Sequence, residues 1–97
     1  MTACATRAVL VRLRGRVQGV GFRAFAIDRA QALALTGWVR NRRDGSVETL
    51  IAGPAPAVET MLGLLARGPS LASIERIDVE PAGAEPVRAG FRQLRTE

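Results

Sequence analysis

The chain has 97 residues, 47% of them hydrophobic and 24% charged, which suits one globular domain over residues 1–97 and excludes a disordered chain. The formal net charge is +5, every basic residue is an arginine, and there is neither a histidine nor a cluster of carboxylates at metal-ligand spacing, so zinc catalysis and Ser–His or Cys–His nucleophilic catalysis are not expected. No apolar run approaches the roughly 20 residues that span a bilayer, so no membrane association is expected.

Residues 1–6 read as a short mobile tail. The tail lacks the basic start and long apolar centre of a signal peptide. Cys4 is the single cysteine, so no internal disulfide can form. These features lead us to expect a cytoplasmic protein; a monomer is expected separately, not from these features. From Arg7 to Arg14 the residues alternate as a strand, with Val9, Val11 and Leu13 on one face and Arg12 and Arg14 on the other. A glycine loop follows from Gly15 to Gly21. Phe22 to Leu35 reads as an alanine-rich helix with Phe22, Phe25, Ala26, Ala30 and Leu33 along one stripe. Gly37 is placed to end that helix.

Trp38 to Arg42 and Ser46 to Ala52 read as a hairpin turned by Arg43-Asp44-Gly45. Gly53-Pro54-Ala55-Pro56 breaks the sheet pattern. Ala57 to Arg67 is a second helix, with Val58, Met61, Leu62 and Leu65 at helical spacing, and Gly68-Pro69 ends it. Ser73 to Glu80 is a fourth strand, with Ile77 and Val79 on one face. Pro81 to Gly90 is a loop, and Phe91 to Leu94 a short last strand. The order β-α-β-β-α-β with a short fifth strand predicts the ferredoxin-like, split-βαβ α+β sandwich. Two helices would cover one face of an antiparallel sheet. Many activities sit on that fold, so it decides nothing about function.

Two stretches carry chemistry. The first, Gly15-Arg16-Val17-Gln18-Gly19-Val20-Gly21-Phe22-Arg23, has no acidic residue and lies between a strand and a helix. Such a turn can aim successive backbone N–H groups into one concavity. The helix start adds its own unpaired N–H groups and a positive dipole end, and Arg23 adds a guanidinium fork suited to phosphate oxygens. The alternative is a glycine turn beside a solvated arginine. The second stretch runs from Gly37 to Val47. Asn41 lies toward the end of a strand and shares a face with Val39. Its carboxamide can both donate to and accept from a water molecule, or it can simply start the hairpin turn.

Together the two stretches resemble the acylphosphatase family. The first matches its Gly-x-Val-Gln-Gly-Val-x-Phe-Arg signature at Gly15, Val17, Gln18, Gly19, Val20, Phe22 and Arg23. The second matches at Gly37, Trp38, Val39, Arg40, Asn41, Gly45, Val47 and Gly53. The likeness spans nearly the whole chain; Phe91-Arg92-Gln93-Leu94 is the poorest match. The resemblance implies hydrolysis of small acyl phosphates to a carboxylate and inorganic phosphate, with no metal and no cofactor. It implies that the backbone of Gly19, Val20, Gly21, Phe22 and Arg23 lines a phosphate cradle, that Arg23 binds the phosphate, and that Asn41 orients the attacking water. Inorganic phosphate or sulfate should then compete with substrate.

The basic balance favours anionic partners, and two rival readings use it differently. An RNA-binding module on this fold stacks bases on exposed sheet aromatics. Strand Ser46 to Ala52 contains none and the chain has no tyrosine, so no nucleic-acid partner is expected. A regulatory role, like that of acylphosphatase-like domains within larger hydrogenase maturation proteins, would require a partner. Trp38 and Phe25 read as packing residues. Arg12, Arg14, Arg40, Arg42 and Arg43 read as solvated, and Asp28 and Asp44 as helix-surface and turn residues.

Overall fold

A computed structural model describes residues 6–83 and 90–97. The remainder of the expected tail, and most of the expected loop after the fourth strand, lie outside the described residues. The elements follow the order β1 (Thr6–Arg16), α1 (Phe22–Ala32), β2 (Thr36–Asn41), β3 (Val47–Pro54), α2 (Ala55–Arg67), β4 (Ser73–Pro81) and β5 (Phe91–Gln93). The strand order is β4-β1-β3-β2-β5. Strands β1 to β4 are mutually antiparallel neighbours, as the hairpin and crossover pattern requires. The short β5 joins the edge parallel to β2, so the whole sheet is mixed rather than antiparallel.

Period-two alternation sorts the sheet into two faces. On one face Val9, Val11 and Leu13 of β1, Val39 of β2 and Val47 and Ile51 of β3 are at most 1% exposed. Both helices close over them. Alanines at Ala26 and Ala30 let α1 lie close to the sheet, while Val58, Met61 and Leu65 supply the buried stripe of α2. Each of those larger side chains contributes roughly 1.5–3 kcal/mol by leaving water. Helix α2 packs on β1, β3 and β4; helix α1 packs on β2 and β5.

The end of α1 departs from expectation. The helix stops at Ala32, three residues before Leu35. The Leu35 N–H donates to the Ala30 carbonyl at 2.9 Å and the Ala34 N–H to the Gln31 carbonyl at 3.1 Å, the two bonds of a Schellman cap. Ala34 supplies the left-handed residue at φ 56°, where glycine would avoid a cost of about 1–2 kcal/mol. Gly37 therefore does not end the helix. It lies inside β2 at φ 138°, where a Cβ would collide with the Leu50 carbonyl oxygen.

Candidate active site

Strand β1 leads directly into the glycine loop. Val17 drops into the core at 1% exposure and fixes the base of the loop. The next residue, Gln18, reaches the other way. Its Nε2 donates to the carbonyls of Arg42, at 2.8 Å, and Ser46, at 2.9 Å. The loop is thus held at one end by apolar burial and at the other by the β2–β3 hairpin. Between these anchors and α1, Gly19 and Gly21 take φ 73° and 80°. A Cβ at either would meet no atom within 4 Å. Glycine is needed there for backbone conformation, and the space above the loop stays open.

Helix α1 begins at that opening. Gly21 occupies its N-cap without a side-chain cap, and the first turn contains no acidic residue. The first helical bond is from the Phe25 N–H to the Gly21 carbonyl at 3.0 Å. The N–H groups of Phe22, Arg23 and Ala24 precede it and have no partner inside the helix. Phe22 is buried at 2% and holds the helix start against the core, its ring 6.0 Å from that of Phe25. Arg23 is half-buried, and among the described residues no carboxylate pairs with it. Seven other arginines do pair: Arg7, Arg12, Arg14, Arg29, Arg40, Arg42 and Arg76.

Asn41 is the last residue of β2, opposite Val47. It does not make the turn. The turn is held by Asp44, whose Oδ1 accepts from the Ser46 N–H at 2.9 Å and the Ser46 hydroxyl at 2.6 Å, and by the Arg42 N–H bonded to the Ser46 carbonyl at 2.8 Å. Those hydrogen bonds, with help from Arg14, hold the Asp44 carboxyl down to about 2. Among the described residues the Asn41 side chain has no hydrogen bond; its backbone carbonyl accepts from the Glu97 N–H at 3.2 Å.

The loop, the start of α1 and Asn41 meet at one cavity of about 200 Å³. Gly19, Gly21, Phe22, Arg23 and Asn41 all line it, with Val17 as part of its floor and Ala24 on the helix side. Val20 is not among the lining residues; its side chain packs against the core. Gln93 of β5 completes the wall and was not singled out from the sequence. The signal for it was its place two residues after the inward-facing Phe91. The strut made by Gln18 was equally unanticipated, although a lone polar side chain between Val17 and Val20 marked it. Open N–H groups, an unpaired guanidinium and no acidic neighbour suit a small tetrahedral anion. Among the described residues no group of three or more His, Cys, Asp or Glu side chains could hold a metal ion, and no helix is long and apolar enough to cross a membrane.

A five-stranded sheet in this order with both helices on one face defines a ferredoxin-like α+β protein. The family model described as Acylphosphatase matches residues 9–93. An acylphosphatase of Acidiphilium cryptum is 56% identical over 79 residues, covering 81% of this chain and 86% of the relative. Acylphosphatase 2 of Ralstonia nicotianae is 50% identical over 86 residues, covering 89% and 90%. The crystal structure of acylphosphatase from Bacillus subtilis superposes with a TM-score of 0.87 at 32% identity, covering 93% of this chain and 99% of that one. The chain belongs to the acylphosphatase family.

Proposed function

We propose that this chain is an acylphosphatase that hydrolyses the carboxyl–phosphate bond of small acyl phosphates at the cavity between the glycine loop and Asn41. One observation carries the reading: Arg23 and Asn41, whose side chains have no partner among the described residues, line the same cavity as the open start of α1. In this reading the N–H groups of Gly19, Val20, Gly21, Phe22 and Arg23 surround the phosphoryl oxygens, Val20 acting through its backbone alone. Arg23 neutralises charge that no metal is needed to balance. The Asn41 carboxamide holds a water in line with the bond to be broken.

The chemistry asks little more. The water oxygen bonds to phosphorus as the bond from phosphorus to the acyl oxygen breaks, and the acyl group leaves as a carboxylate. That leaving group is stable without protonation, so positioning and charge stabilisation carry the barrier reduction. The proton of the water passes to a phosphoryl oxygen, and the products are the carboxylate and inorganic phosphate. The lone cysteine is consistent with the cytoplasm.

Steady-state hydrolysis of acetyl phosphate by the isolated chain tests the reading. Turnover should survive EDTA, and inorganic phosphate or sulfate should inhibit competitively. No turnover, or activity restored only by added magnesium after EDTA, would overturn it.

A further inference from the structure

Three side chains on the cavity wall carry polar atoms: Arg23, Asn41 and Gln93. The proposed reaction uses Arg23 for the phosphate and Asn41 for the water. An acyl phosphate has a third part, the acyl group, and it must lie beside what remains: Gln93 and the apolar Val17, Phe22 and Ala24. The cavity is about 200 Å³, the liquid volume of roughly seven waters at about 30 Å³ each. Phosphate and one water take up about half of it, which leaves room for roughly three more water-sized groups, so a short acyl group fits inside, beside Gln93.

The sheet puts Gln93 there. In the parallel pairing, Phe91 lies opposite Gly37 and Gln93 opposite Val39. Val39 and Asn41 share the helix-facing side of β2, and Phe91 and Gln93 share it on β5. Phe91 is buried at 6% and closes the core, whereas Gln93, two residues on, is exposed and walls the cavity. Among the described residues no hydrogen bond engages its carboxamide, in contrast to Gln18, whose Nε2 is committed to two carbonyls. A neutral carboxamide both donates and accepts. It can therefore meet a hydroxyl on the acyl chain, which a methyl group would leave unmatched.

We propose that Gln93 is a specificity-determining residue that favours short acyl phosphates bearing a neutral hydrogen-bonding group next to the carbonyl, such as a 2-hydroxyacyl phosphate. The proposal rests on the acylphosphatase reading of the cavity. Its test compares kcat/KM for glycoloyl phosphate and acetyl phosphate, which differ by one hydroxyl, in the wild-type protein and in Gln93→Leu. The wild type should prefer glycoloyl phosphate by about 3- to 10-fold, within the range of one net hydrogen bond. Gln93→Leu should bring the ratio to about 1 and leave acetyl phosphate turnover and the phosphate inhibition constant within about twofold. Gln93→Asn, with the same amide on a shorter stem, should recover part of the preference. A wild-type ratio near 1, an unchanged ratio in Gln93→Leu, or equal loss on both substrates would each overturn the assignment. Failure of the wild type to hydrolyse either substrate would instead overturn the acylphosphatase reading.

Discussion

The two faces of the sheet treat polar groups in opposite ways. On the face away from the helices, Glu48 is buried at 5% and three arginines converge on it. Arg12 Nη2 lies 2.9 Å from its Oε2, and Arg40 Nη2 and Arg42 Nη1 lie 2.9 Å and 3.5 Å from its Oε1. Burial pushes the Glu48 carboxyl up, but hydrogen bonds from Arg12 and Arg40 and the charges of Arg40 and Arg42 outweigh it, and the group stays below its ordinary range. Arg40 also stacks on Trp38, its guanidinium carbon 4.8 Å from the ring centroid. At the cavity the pattern inverts: the helix start has no cap, Arg23 has no carboxylate, and the Asn41 and Gln93 amides have no partner among the described residues. Among the described residues no buried side-chain polar atom lacks a partner, so these groups stay open to solvent rather than stranded in the core. Their concentration at one cavity leaves donors and acceptors free for a ligand there, as the proposed function requires.

Substitutions that strike one region and spare the other separate function from stability. The largest effect is expected at Arg23. Arg23→Ala removes charge-assisted hydrogen bonds worth roughly 1.5–3 kcal/mol each, so kcat/KM on acetyl phosphate should fall on the order of 10³-fold. Arg23→Lys keeps the charge without the fork and should recover only part of it. Thermal melting should hardly change, since the side chain pairs with no carboxylate among the described residues. Near-normal activity in Arg23→Lys would break the contrast between the faces.

Glu48→Gln should do the reverse. It leaves Arg12, Arg40 and Arg42 facing a neutral amide at the centre of their network and should cost about 1–3 kcal/mol, less than for a fully buried pair because the arginines reach solvent. Chemical denaturation measures that cost, and kcat/KM should stay within about twofold. A large loss of activity with unchanged stability would mean that the network serves the site directly.

Gln18→Ala touches both regions, because Gln18 joins the loop to the hairpin that carries Asn41. Freeing two carbonyls should cost about 1–2 kcal/mol, and kcat should drop several-fold as Asn41 loses its register with the loop. Stability loss without any kcat change would confine Gln18 to packing.

The smallest effect is in acid. Asp44 is depressed from 3.8 to about 2, and Glu48 is depressed from 4.5. A carboxyl depressed on folding contributes its full stability above its unfolded pKa and loses it as pH falls through the folded value. Melting temperature should be flat from about pH 8 to 5 and decline below about pH 4, with a shallower decline in Glu48→Gln. An equal acid slope in both proteins would remove Glu48 from the account.

What the sequence made legible was whatever repeats with a local period or sits in a contiguous motif. All seven elements appear in the expected order, because Val9-Val11-Leu13 and Val58-Met61-Leu65 announce their faces. The loop residues and Asn41 could be proposed because each lies inside one continuous signature. Long-range pairing was less visible. Arg12, Arg14, Arg40 and Arg42 read as solvated, yet Arg40 and Arg42 pair with Glu48 across their own hairpin, and the fold brings Arg12 to Glu48 and Arg14 to Asp44 from distant parts of the chain. Gln93 reaches the cavity through a parallel pairing of β5 with β2 that no local pattern specifies. The early end of α1 was hidden because Ala34, a strong helix former, occupies a left-handed position usually given to glycine.

The central claim is that the open cavity binds phosphate through one set of groups and activates water through another. Asn41→Ala tests it most directly, with kcat on acetyl phosphate and the inhibition constant for inorganic phosphate measured together and folding confirmed by circular dichroism. The account predicts a fall in kcat on the order of 10²-fold, the scale for a misplaced reacting group, with phosphate inhibition changed by no more than about twofold. A folded Asn41→Ala protein whose kcat stays within about threefold of wild type, a gap under roughly 0.7 kcal/mol of barrier, would contradict it.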